Sequence, residues 1–353
     1  MIPPLPLPLA PAARRRRVPL KAAAIAALTA LPCALVATAC GSSATPSNGS
    51  PSDSGLGDAP DLIGDNETPS LTGPNGEGGS GDGGVFADAF VLPEDFVPTQ
   101  LGGYALGPPI NGNGTDSGLV QNGNSSNCSL VVGVVRDFLS YELQDGGDPD
   151  FEHFSGTGAT LGLVQKAIGT DRKPVYGAEC DDNSVVNPPC LYGQQMTTQA
   201  NFDEWYRYTA GVNDPYLVYL EFVPNGSVYT FQSTAFFPLD NAGFGNTPGF
   251  DHNFSFTTEL HLEFTYKGGE TFSFTGDDDL WVFINGVLAI DLGGLHPPTS
   301  SSVSLDSLGL TKGTTYPIEL FNAERHSTGS NFRVDTNLAF TNCGTVPPDV
   351  PPK

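Results

Sequence analysis

TFSFTGDDDLWVFINGVLAIDL, running from Thr271 to Leu292, decides the fold class. Thr271 to Thr275 alternates polar and apolar residues with period two, the mark of a strand with one face in a core. Leu280-Trp281-Val282-Phe283-Ile284 is apolar on both faces and reads as a central, doubly covered strand. Asn285-Gly286 follows at once, a dipeptide that favours the left-handed conformations of a two-residue hairpin, so Val287 to Leu292 is the return strand. Working outward, Leu260 to Tyr266 and Phe332 to Phe340 repeat the period-two alternation. Helix signals are few: Asn201 to Tyr208 reads as one short helix, and Leu161 to Ala167 is ambiguous. The expectation is an all-β fold, an antiparallel β-sandwich of jelly-roll-like kind, with Trp205 and Trp281 in its core.

Composition divides the rest of the chain. Residues 1–39 carry a basic run, Arg14 to Lys21, and then an apolar stretch too short and too rich in small residues for a membrane span, which together read as a signal peptide. Residues 40–90 are Gly, Ser, Pro, Asp and Asn with few apolar groups, so they read as a disordered acidic linker. Residues 91–127 are left as an unassigned extended arm, 128–343 as the sandwich, and 344–353 as a Pro-rich tail. The linker and arm place the sandwich at a distance from whatever holds the N-terminus.

The formal charge is −24, and since five of the fifteen basic residues precede Cys40, the remainder holds ten basic against thirty-nine acidic residues. Phosphate backbones are repelled by such a balance, which excludes nucleic acid as a partner. Cations are instead concentrated wherever carboxylates converge. Beyond the N-terminal segment the cysteines form an even set, Cys128, Cys180, Cys190 and Cys343, as expected of disulfides in an oxidising compartment. Of the three connectivities, Cys180–Cys190 closes a short polar loop and Cys128–Cys343 ties the two ends of the sandwich. The zinc alternative lacks any C-x-x-C spacing.

The turn Gly276-Asp277-Asp278-Asp279 packs three carboxylates between apolar strands, where they repel one another unless neutralised. Ca²⁺ is the hard cation that accepts oxygen ligands from irregular loops; a solvated acidic turn is the alternative. Asp291 and His296, flanking the Gly293-Gly294 turn, are candidates to line the same cleft. Neither G-x-S-x-G, His-Glu-x-x-His nor a phosphate-binding glycine loop occurs, so the chain reads as a non-enzyme; a glycosidase using two carboxylates is the enzymatic alternative.

Three further stretches carry a resemblance: Val134-Val135-Arg136-Asp137-Phe138, Pro149-Asp150-Phe151-Glu152 and ERHSTGSNFRVDTNL from Glu324, together with GDDDLWVFINGVLAIDLGGLH from Gly276. With them residues 128–343 resemble the fibro-slime domain of exported surface proteins, although Asp148 stands where members commonly have His. The segment around Asp277-Asp278 is also similar to the protective-antigen-type β-sandwich. In its sugar-binding members an adjacent Asp pair joined by a cis peptide holds Ca²⁺, which in turn coordinates sugar hydroxyls. The resemblance implies Asp277, Asp278 and Asn331 as metal ligands, with Asp279, Glu324, His326 and Ser330 as neighbours.

Ala37-Thr38-Ala39-Cys40 resembles a bacterial lipobox, which implies lipidation at Cys40 and an anchor that replaces a transmembrane helix. The whole then reads as an exported, lipid-anchored protein of the cell envelope, outer membrane or cell surface, touching membrane only through its anchor. Its sandwich is expected to bind a carbohydrate or glycoconjugate of cell surface or matrix, with Ca²⁺ as cofactor. The competing expectation is a structural matrix protein whose calcium only stiffens a loop.

Overall fold

The computed structural model describes residues 95–110, 128–141, 146–177 and 194–346. The signal peptide (1–39), the linker (40–90), Cys40, and the Cys180–Cys190 pairing lie outside the described residues. Fourteen strands occur among those described: β1 (Val97–Pro98), β2 (Gly103–Pro109), β3 (Leu130–Phe138), β4 (Asn213–Glu221), β5 (Val223–Asn225), β6 (Val228–Ser233), β7 (Phe256–Thr265), β8 (Thr271–Gly276), β9 (Asp279–Ile284), β10 (Val287–Leu292), β11 (Thr299–Ser304), β12 (Thr315–Glu324), β13 (Phe332–Thr336) and β14 (Phe340–Asn342). They form an antiparallel sandwich. A nine-stranded sheet runs in the order β1-β2-β4-β3-β7-β12-β9-β10, with β14 also paired to β7, and faces a five-stranded sheet, β11-β8-β13-β6-β5.

The alternation read from the sequence is the mechanism of the packing. Leu280, Val282 and Ile284 of β9, Ile318 and Leu320 of β12, and Leu260, Leu262 and Phe264 of β7 turn toward the smaller sheet and meet Phe272, Phe274, Phe332 and Val334 there. Trp281 and Phe283 point the other way, with Phe321 and Ala323 of β12, and are covered by Phe151, Leu163, Met196, Phe202, Trp205 and Tyr206. A third layer of irregular chain thus lies over the larger sheet, and β9 is buried at all six positions, as its apolar run requires. Trp205 and Trp281 are both fully buried. The hairpin closes as expected, with Asn285 at φ 52° and Gly286 at φ 75°, and Val287 opposite Ile284.

Three expectations are corrected. The polar face of Leu260–Tyr266 is only partly left to solvent: Glu263 and Thr265 are half-buried, but His261, with Glu259 just before the segment, is buried beneath the third layer, where Arg136 and Lys173 meet Glu259 at 3.0 Å and 2.5 Å. Alternation showed which side chains face the core but could not show what lies over the other face. The strand from Phe332 ends at Thr336, and Phe340 begins β14 in the opposite sheet. The short helix spans Gln199–Phe202 rather than Asn201 to Tyr208, capped by the Thr198 hydroxyl accepting from the Asn201 N–H at 3.2 Å; Trp205 and Tyr206 leave it to pack into the third layer. Of the arm, residues 97–109 supply β1 and β2 to the edge of the larger sheet; residues 111–127 lie outside the described ones.

Cys128 and Cys343 are joined, as expected, across 215 residues of sequence. Past Cys343, Val346 is still buried, against Val132, Val134 and Leu217, so contact with the sandwich continues into the start of the tail; residues 347–353 lie outside the described ones.

Candidate functional site

The chain changes sheets four times at one end of the sandwich, once from β6 to β7 through residues 234–255, and the other three crossings carry the expected site. From β8 to β9 it crosses at Asp277-Asp278, from β10 to β11 at Gly293 to Pro298, and from β12 to β13 at Arg325 to Asn331. Crossing segments leave the regular ladder, so their polar groups must be met by side chains or ligands. Every residue expected at the site stands on one of these crossings or on a strand end beside it.

Asp277 and Asp278 are joined by a cis peptide, as the resemblance implies. Asn322, on β12, donates its amide to the carbonyls of Asp277 (3.3 Å) and Asp279 (3.0 Å) and so fixes the backbone on both sides of that bond. Asn331 lies against Asp277: its backbone N–H donates to Oδ1 at 2.5 Å and its side-chain amide to Oδ2 at 2.9 Å. Asp278 accepts from the Arg325 backbone N–H at 3.1 Å. The structure therefore brings Asp277, Asp278 and Asn331 together from two crossings.

Glu324 is the unpaid member of the group. It is 1% exposed, and neither carboxylate oxygen finds a hydrogen-bond partner of good geometry. Burial first, then Asp278 and Asp277, push its carboxyl well above the usual range; Ser330 opposes this weakly. Asp278 is likewise pushed well up, by burial first and by Asp279 and Asp277, with Arg325 opposing. Asp277 is raised by burial and held back by its two bonds from Asn331. Three carboxyl groups in one dry corner, one of them with both oxygens free, are costly as anions and suited to a hard cation.

Other expected residues are spent on structure. Asp279 opens β9, is fully buried, and pairs with Arg325 at 2.6 Å while accepting from the Gly294 N–H at 2.6 Å. Asp291 accepts from the Trp281 indole (3.1 Å) and from the Gly162 N–H (3.0 Å). Both ring nitrogens of His296 face backbone carbonyls, Pro297 and Leu292, at 3.0 Å, which pins the second crossing beside Asp277. His326 contacts the Ser327 carbonyl at 2.9 Å, and Ser330 is buried with its carbonyl accepting from Phe236.

Arg325, which the sequence offers beside Glu324 and His326 only as part of a polar network pinning the last loop, is a central support of the corner. Fully buried, it pairs with Asp279, donates Nη1 to the carbonyls of Asp150 (3.0 Å) and Gln195 (2.9 Å), and lies 4.5 Å over the Trp205 ring. Glu152 completes the support: its N–H donates to the Arg325 carbonyl, and its carboxylate accepts from the Ser327 N–H at 2.6 Å. The signal available was an Arg directly after Glu324 in a strongly acidic chain. Its committed guanidinium neutralises Asp279 and leaves Asp277, Asp278 and Glu324 without a cation of their own.

Among the described residues, no group of three or more His, Cys, Asp or Glu side chains is placed to hold a metal ion by itself. An ion here would draw further on amide and backbone oxygens, which Ca²⁺ accepts readily. The residues fit that ion: the oxygens are hard donors, and those of Glu324 are unpartnered.

A family model, the PA14 domain, matches residues 219–352, which include the whole acidic corner. Protein psiR of Dictyostelium discoideum is 37% identical over 222 residues, 59% of this chain and 21% of that protein. Proteins psiD and psiE of the same organism are 41% and 44% identical over 192 and 221 residues, covering 52% and 57% of this chain and 37% and 42% of theirs. The chain thus spans less than half the length of these relatives. Among solved structures, a PA14 sugar-binding domain from an RTX adhesin is similar at TM-score 0.23 and 11% identity, over 61% of this chain and 99% of that one. The PA14 domain of the MpAFP antifreeze protein is similar at TM-score 0.21 and 10% identity, over 31% and 65%.

Proposed function

We propose that this chain is a surface adhesion protein whose sandwich binds carbohydrate through a calcium ion held by Asp277, Asp278, Asn331 and Glu324. The observation that carries the reading is the buried Glu324 carboxylate, both oxygens unpaired, against the Asp277-Asp278 pair at the sheet crossings. The PA14 match over 219–352 supports it. When bound, calcium would offer open coordination positions that neutral vicinal hydroxyls fill. The protein's own part is to hold the corner: Arg325 and Asn322 fix the acidic turn, and Glu152 holds the loop that carries Asn331. Nothing in this arrangement calls for bond breaking, so the proposed role is binding rather than catalysis. The fibro-slime resemblance supports export to the surface, and the lipobox-like Cys40, outside the described residues, supports lipid anchoring there.

The test is a glycan array probed with the purified chain in calcium and in chelator, beside thermal melting in both. Calcium should raise the melting temperature and be required for glycan retention, and the double variant Asp277→Ala, Asp278→Ala should lose both. Retention that ignores calcium, or a double variant that behaves like the parent, sinks the reading. A calcium-dependent melting shift with no glycan retained would replace it with a structural calcium site.

A further inference from the structure

β13 leads directly away from the acidic corner. Asn331 precedes it, and along it Phe332, Val334 and Thr336 are buried while Arg333 and Asp335 are only half-buried on the outer face. Side chains two residues apart share a strand face at ~7 Å spacing. The outer row therefore runs Asn331, Arg333, Asp335, starting at a residue that grips Asp277.

The register widens this row into a polar surface. Arg333 lies opposite Gln232 of β6 on one side and Thr275 of β8 on the other, and Thr275 lies opposite Ser300 of β11. Arg333 donates Nη1 to Gln232 at 2.7 Å, and Nε and Nη2 to the two oxygens of Asp335 at 2.5 and 3.0 Å. Thr230 holds Asp335 from behind at 2.6 Å. The guanidinium plane is thus fixed before any ligand arrives, with three of its five N–H groups used and two free among the described residues. A cleft of ≈ 420 Å³ lies over this surface, lined by Gln232, Thr234, Thr275, Pro298, Asn331 and Arg333 among others. Its volume is within the range of small-molecule sites.

We propose that this cleft is a second saccharide subsite, which takes the neighbouring unit of a neutral oligosaccharide whose first unit sits at the Asp277 corner. This rests on the reading of the corner as a sugar site. Neutral sugar is favoured because Arg333 and Asp335 cancel each other's charge and offer donors and an acceptor in one plane, matching adjacent hydroxyls. An acidic sugar would meet Asp335 and the corner's carboxylates. The side chains of Gln232, Thr234, Thr275, Asn331 and Arg333 bring hydrogen-bonding groups to a lining that Pro298 and Phe332 also share, and with Phe332 buried, hydrogen bonding rather than ring stacking is the means of recognition.

Calorimetric titration of the full chain in calcium tests this with glucose, mannose and galactose against cellobiose, maltose, laminaribiose, mannobiose and lactose. At least one disaccharide should bind about tenfold tighter than its monosaccharide. Arg333→Ala and, separately, Gln232→Ala should remove that gain while monosaccharide affinity stays within about twofold. Gln232 is at the surface, so its variant keeps the test valid if Arg333→Ala unfolds. Monosaccharide binding with no gain for any disaccharide, or a gain that survives both variants, overturns the subsite alone. Absence of calcium-dependent binding to every sugar overturns the corner's assignment and the subsite with it.

Discussion

Arg325 decides whether the acidic corner exists. Its guanidinium compensates Asp279 where both side chains are fully buried, while its backbone N–H serves Asp278. Removing one partner of a buried pair strands the other charge, at a cost of about 3–5 kcal/mol; replacing both with apolar groups costs far less. Arg325→Met should therefore lower unfolding free energy by about 3–5 kcal/mol in urea titration, and adding Asp279→Leu should recover much of it. A single variant that loses under ~1 kcal/mol would show the pair to be dispensable. At this scale the sequence was readable only where contacts are local. Asp277 and Asp278 are adjacent, and their crowding is plain from the letters. Asn331 was reached through resemblance. The link from Arg325 to Asp150 spans 175 residues and leaves no local trace.

Among the elements, the β9–β10 hairpin was legible because its turn residues and its apolar run both act locally. The third layer was not, since its residues show neither period and take their places only by covering the larger sheet. The loop after β6 shows another hidden dependence. Asp137, at the end of β3, accepts from the Phe244 N–H at 2.5 Å and from the Asn253 amide at 2.7 Å, closing residues 240–253 over the strand. A Cβ on Gly243 (φ +52°) would come within 2.2 Å of the same carboxylate, so glycine is required there.

Burial raises the Asp137 carboxyl to about 7, against the two bonds that favour its charge. The folded state then holds a proton that the unfolded state has lost, so this group's stabilisation is complete below its ordinary range and disappears as pH rises to about 7. Buried His261 is lowered to about 4, and its contribution has the opposite sign: it is present above the ordinary histidine value and lost as pH falls through about 4. The two offset each other in wild type. Asp137→Asn removes the first, so urea titrations from about pH 4 to about pH 7 should show the variant gaining on wild type by up to about 4 kcal/mol. A constant difference across that range would refute the assignment.

At the scale of the whole molecule, the site is a product of topology. One end of the sandwich receives the three crossings that build the corner, and the polar groups released from the ladders there meet one another. The opening stretch from Thr271 to Leu292 contains one crossing complete, which is why the fold and half the corner could be read from it. The remaining half depends on where β12 and β13 lie, which sequence order alone does not state.

The Cys128–Cys343 bond also governs how the molecule carries load. If the N-terminal side is anchored and a bound partner is pulled away, tension reaching Cys128 divides. Part continues into β3, and part passes through the sulfurs to β14; both strands lie along β7. Beyond β1 and β2, which precede Cys128 at the sheet's edge, the sandwich is gripped at two points rather than through a single strand. Stretching the chain from its two ends should accordingly leave residues between the cysteines folded. The extension of the 215-residue loop, about 700 Å, should appear in single-molecule pulling only after reduction; its release without reductant would mean the clamp is open.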